Sequence, residues 1–78
     1  MDNISENDVV ALLVDLPEIG LQRGEVGSVI QVFNSTADHP DGLIVEFVDE
    51  FGQILGHADI TDANQIVKLR YRPVQEAA

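Results

Sequence analysis

The sequence predicts an all-β chain whose five short strands curl into a small, strongly bent barrel, with one short 3-10 turn. Three observations predict it. Short runs rich in β-branched residues recur along the 78-residue chain, the spacing expected of a small barrel or sandwich. Clusters of Asn, Asp, Ser, Pro and Gly punctuate them, as turns require. No segment with helical periodicity outlasts a single turn.

The elements follow in order. "DVVALLV" (8–14) is a valine-rich run stopped by "DLPE", where Pro17 can donate nothing to a sheet ladder. Restricted rotamers at Val9, Val10 and Val14 weigh against a helix there. "EVGSVIQVF" (25–33) is the second strand. "NSTADHPDG" (34–42) is turn chemistry throughout. "LIVEFV" (43–48) alternates Leu43, Val45 and Phe47 on one face with Ile44, Glu46 and Val48 on the other. "DEFG" (49–52) suits a hairpin connection and "QILGHA" (53–58) the returning strand. "DITDAN" (59–64) reads as the tight helical turn, with Thr61 or Asp62 as its cap. "QIVKLRY" (65–71) closes the series. Residues 1–7 and 73–78 are expected to be loose ends of a single domain spanning 8–72.

Gly20, Gly24 and Gly27 precede a strand, whereas a phosphate-cradling loop must lead into a helix N-terminus. There is no Gly-Lys-Ser or Gly-Lys-Thr triplet either. Gly24 is expected to turn the chain in a left-handed conformation. Gly27 is expected to mark a bulge or the close crossing of another backbone.

Composition narrows the function classes. Fourteen acidic residues face four basic ones, a net charge of -10. Nucleic acid and anionic membranes are poor partners, since each phosphate contact calls for a cation. A basic protein partner would be steered inward by the same charge. With no cysteine, disulfides and thiolate metal sites are excluded. No apolar run approaches the roughly 20 residues that cross a bilayer, and the acidic N-terminus does not read as a secretory signal. Cytoplasmic residence is expected.

"DVVALLVDLPEIGLQRGEVGSVIQVF" and "LIVEFVDEFGQIL" together resemble a family of small bacterial proteins, frequent in cyanobacteria, catalogued as a domain of unknown function. The resemblance runs over about residues 8–70 and centres on a D-L-P-E-x-G-L-x-x-G-x-x-G-x-V motif. "RGEVGSVIQV" is also similar to the G-x-x-G-x-V core of KOW-type barrels. The long "FNSTADHPDG" connection and the acidic Glu25 depart from the pattern. The resemblance implies an SH3-like barrel and brings no activity with it. Some relatives look like the smaller partner in two-gene toxin–antitoxin arrangements.

No catalytic, cofactor-binding or metal-binding residues are assigned. His39 lies beside Asp38 and Asp41, and His57 beside Asp59 and Asp62, but neither cluster has a recognised ligand spacing. Glu46 is placed by alternation on the face opposite Val45 and Phe47, toward solvent. Protein docking is the favoured role. Phe51 stands at a hairpin tip, where an exposed aromatic ringed by polar residues makes a binding anchor. Leu16, Pro17, Ile19 and Leu21 offer an apolar cluster on the preceding loop. In SH3-like barrels that loop lines the peptide groove, but the aromatics that grip proline helices are absent here. The competing reading is an RNA-binding barrel using Lys68, Arg70 and Arg72, which an extended strand would set on one face. The expectation is therefore a non-catalytic module, antitoxin-like or accessory, that binds a basic protein.

Overall fold

The computed structural model describes residues 3–38 and 40–70. It contains five strands: β1 (Val9–Leu12), β2 (Val26–Phe33), β3 (Gly42–Val48), β4 (Ile54–Ile60) and β5 (Ile66–Lys68). All pair antiparallel in one sheet of order β4-β3-β2-β1-β5. The all-β, five-stranded expectation is met.

Two 3-10 turns accompany the strands rather than one. Ala63–Gln65 is the expected turn, and Asp62 caps it by accepting a 2.9 Å hydrogen bond from the Asn64 amide. Pro17–Ile19 is the additional one. Proline is favoured at the start of such a turn because its fixed φ is already helical. The terminal strands are shorter than the apolar runs that announced them. Among the described residues, only four of 8–14 and three of 65–70 lie in strands.

The inner face of β3 is Leu43, Val45 and Phe47, each fully buried, as alternation required. They share one core with Val10, Leu12, Val29, Ala58, Ile60 and Ile66. These residues come from every strand, including β4 and β5 at opposite ends of the sheet. A flat five-stranded sheet would hold its end strands about 19 Å apart and leave this face wet. No second layer exists among the described residues to cover it, so the sheet wraps around its own inner face.

Two local devices bend it. A register shift between Val29 and Gln31 leaves Ile30 as an extra residue on β2, which bends and twists the strand. Gly27 lets β2 press on β3: a Cβ there would lie 2.5 Å from the Glu46 carbonyl oxygen. The close approach is the alternative realised at Gly27, and the bulge lies three residues on. Gly24 has φ 94°, as its place in the turn demanded.

Among the described residues before β1, several are tied to the sheet. The Asn7 amide donates to the Val29 carbonyl at 2.8 Å, Val29 donates back to Asp8 at 2.9 Å, and Ile4 packs on the core. Residues 73–78, with Tyr71, Arg72 and His39, lie outside the described residues. Among the described residues no helix is long and apolar enough to cross a membrane.

Candidate protein-docking surface

The β3–β4 hairpin is built around one carboxylate. Asp49 Oδ1 accepts hydrogen bonds from the amides of Phe51 (2.8 Å) and Gln53 (2.9 Å). The Asp49 amide donates to the Gln53 carbonyl at 2.9 Å, and Gly52 donates to the Asp49 carbonyl at 3.0 Å. An Asp at the head of a turn does this because its short side chain mimics a backbone acceptor. The turn leaves the Phe51 ring 81 % exposed. Phe51 does not fold back over the sheet.

The loop cluster divides. Leu16 and Leu21 face each other across an isolated bridge and are buried, Leu21 at 2 % exposure. Their backbones are doubly bonded, Leu16 N to Leu21 O at 2.8 Å and the reverse at 3.1 Å. Both side chains are core and unavailable to a partner. The turn between them carries Pro17 and Ile19 outward, with Ile19 42 % exposed.

A shallow groove of about 620 Å³ lies between the chain leading into β2 and the hairpin. Val26, Val48 and Leu55 form its apolar part, and Arg23, Glu25, Asp49 and Glu50 its charged rim. Glu25 Oε2 accepts the Gln22 amide at 2.9 Å. Two of the three rim carboxylates thus shape backbone. None of the three apolar residues was singled out from the sequence. The adjacent pair Ile54–Leu55 was the available signal, since it breaks strict alternation where β4 is bulged.

Of the basic residues expected on one strand face, Lys68 is the last residue of β5 and Arg70 lies just beyond it. The Lys68 ammonium lies 3.2 Å from Asp8 Oδ2 and donates to the Asn3 carbonyl at 3.1 Å. Asp8 is held below the usual carboxylate range, first by the Ser5 amide at 2.8 Å and then by Lys68. Arg70 is exposed, and Arg72 lies outside the described residues.

His57 meets Glu46 across the β3–β4 ladder at 3.1 Å. Glu46 is on the outer face, as alternation placed it, though half-buried rather than open. Among the described residues, no three His, Asp or Glu side chains gather as metal ligands.

A family model described as a domain of unknown function, DUF4926, matches residues 6–66. The chain belongs to the DUF4926 family. The match runs from just before β1 to the first residue of β5, so hairpin, groove and buried loop leucines all fall inside the DUF4926 domain. No curated protein and no solved structure matches the chain.

Proposed function

We propose that this DUF4926 chain is a non-catalytic module that docks a basic protein, as an antitoxin-like or accessory subunit. The observation that carries the reading is Phe51, held 81 % exposed on a turn already ordered by Asp49. Exposing a phenyl ring to water costs free energy that a folded chain normally recovers by burial. A rigid turn presenting it to a partner also loses little entropy on binding.

Charge supplies the partner's sign. With 14 acidic against 4 basic residues, the field around the chain repels anions and accelerates encounter with cations. Glu25 and Asp49 accept backbone amides, which suits a structural more than a catalytic use of those carboxylates. The engagement of Lys68 by Asp8 and Asn3 argues against phosphate binding as the main role.

The test is affinity capture of the tagged chain and of Phe51→Ser from the native cytosol. A basic protein retained in stoichiometric amount by the first and lost from the second is expected. No such protein, or one indifferent to Phe51, would overturn the reading.

A further inference from the structure

The groove beside the hairpin is local. Its lining comes from residues 22–26, which lead into β2, from Val48, Asp49 and Glu50 where β3 runs into the hairpin, and from Leu55 of β4. Val26 and Val48 lie one step beyond the Gly27↔Phe47 pair, so neighbouring strands bring them together. Leu55 joins them as the extra residue of the β4 bulge. Phe47 pairs with Gly56 and Val48 with Ile54, and Leu55 is passed over. Val26 is 37 % exposed and Leu55 42 %, while Val48 is half-buried. The floor of the groove is therefore apolar and open to solvent.

The rim is charged and held in place. Glu25 Oε2 accepts the Gln22 amide at 2.9 Å, and Asp49 Oδ1 accepts the Phe51 and Gln53 amides at 2.8 and 2.9 Å. These donors are backbone, so both carboxylates stand at the groove's edge before anything binds. Each keeps its second oxygen outside those bonds. Glu50 adds a third negative charge and is exposed, and Arg23 is the one cation among the lining residues. An apolar floor under an anionic rim matches a ligand built the opposite way along its length, an apolar stem that ends in a cation. Arginine and lysine side chains both lay their methylenes on apolar surface while the charged head reaches outward. The guanidinium fits better, because its planar fork donates to carboxylate oxygens in pairs and is the more weakly hydrated.

Resting on the docking role proposed above, we infer that this groove receives one arginine side chain of the basic partner, next to the Phe51 anchor. Its stem lies on Val26, Val48 and Leu55, and its guanidinium donates to Glu25 and Glu50. Other occupants carry the wrong charge. A second copy of this chain brings a net charge of -10, and an anionic membrane surface is repelled likewise. Arg23 already stands on the rim, so an incoming guanidinium shares the carboxylates with it. Arg23 is thus a competitor of the ligand.

The test titrates a capped Leu-Arg-Leu peptide, at low ionic strength, into the isotopically labelled full chain and follows amide chemical shifts. Saturable shifts centred on residues 25, 26, 48, 50 and 55 are expected. The peptide with citrulline in place of arginine, neutral and of the same shape, should bind at least about 3-fold more weakly. Glu50→Gln and Leu55→Thr, both at exposed positions, should each weaken the arginine peptide about 3-fold. Arg23→Gln should tighten it about 2-fold, a gain that a purely structural role for the groove residues would not produce. Shifts confined to another surface, equal binding of the citrulline peptide, or weaker binding by Arg23→Gln would overturn the assignment. So would sedimentation showing a dimer of the chain that Leu55→Thr dissociates. If the captured basic partner is lost with Phe51→Ser but kept at full strength by the Glu50→Gln/Leu55→Thr double variant, docking stands and the groove assignment falls. If no basic partner is captured at all, docking itself falls.

Discussion

Lys68 reaches across from the last strand to Asp8, its ammonium 3.2 Å from the carboxylate, and ties the end of the sheet to the segment that enters β1. Asp8 also accepts the Ser5 amide at 2.8 Å, so one carboxylate orders the residues before β1 and fastens β5. Both contacts favour its charged form, the Ser5 bond more than the lysine.

A pH dependence follows with a definite sign. The folded-state pKa of Asp8 is lowered from 3.8, so the folded state binds this proton less readily than the unfolded chain. Its stabilisation is complete above the unfolded value and disappears as pH falls through the folded one. Asp8→Asn is expected to melt a few degrees below wild type at neutral pH, with the two curves converging in strong acid. Thermal melts across pH check this. A gap that persists unchanged at the acid end would mean that the carboxylate's charge is not what stabilises.

Gly27→Ala should be among the most damaging single changes outside the core side chains. The added carbon would meet the Glu46 carbonyl oxygen at 2.5 Å and Val45 Cγ1 at 2.8 Å. The first obstacle is backbone in the middle of a ladder and cannot rotate away. Overpacking of this kind costs about 1–3 kcal/mol, a large share of what a domain this small has to lose. Urea denaturation should show a lower midpoint with an unchanged slope.

How far the sequence reached depends on which interactions are local. Alternation in 43–48 placed Leu43, Val45 and Phe47 inside without reference to any other strand, because a strand's two faces are set by its own pleat. Leu16 and Leu21 were misplaced on the surface for the opposite reason. Their burial comes from facing each other across a turn that opens with Pro17 and closes at Gly20, a relation invisible when a Pro-Gly stretch is read only as loop. The register on the outer face was beyond reach for a stronger reason. Ile54 joins Val48 only because Leu55 is bulged, and Val26 meets Ala11 and Val67 only through registers set by the whole sheet. Lys68 is exposed, as alternation suggested, and pairs with an acid, but that the acid is Asp8, sixty residues earlier, is set by the meeting of β1 and β5 and by no local pattern.

The hairpin carries one buried and one exposed phenylalanine. Phe51, at 81 % exposure, contributes little to folding, and Phe51→Ser should stay within about 0.5 kcal/mol of wild type. Phe47, four residues earlier and fully buried, should cost about 3–5 kcal/mol when cut to alanine. Equilibrium unfolding of the two variants compares them directly. Comparable losses would mean that the Phe51 ring packs on the fold in solution and is not held out as an anchor.

Asp49→Ala then distinguishes an anchor that is merely exposed from one that is held in place. The substitution removes the acceptor for the Phe51 and Gln53 amides while leaving the ring in the chain. Loss of net hydrogen-bond stabilisation at this surface turn should cost about 1 kcal/mol of folding stability. The larger effect falls on the partner, because binding must now order the turn as well as bury the ring. Ordering flexible groups at an interface costs about 0.5–1.5 kcal/mol for each side chain immobilised, so affinity for the captured partner should fall about 2- to 10-fold. Phe51→Ser should fall further, since it removes the buried ring itself. The two variants are compared by calorimetric titration against the same partner. An Asp49→Ala chain that binds as tightly as wild type would show that the partner recognises the ring without needing the turn that presents it.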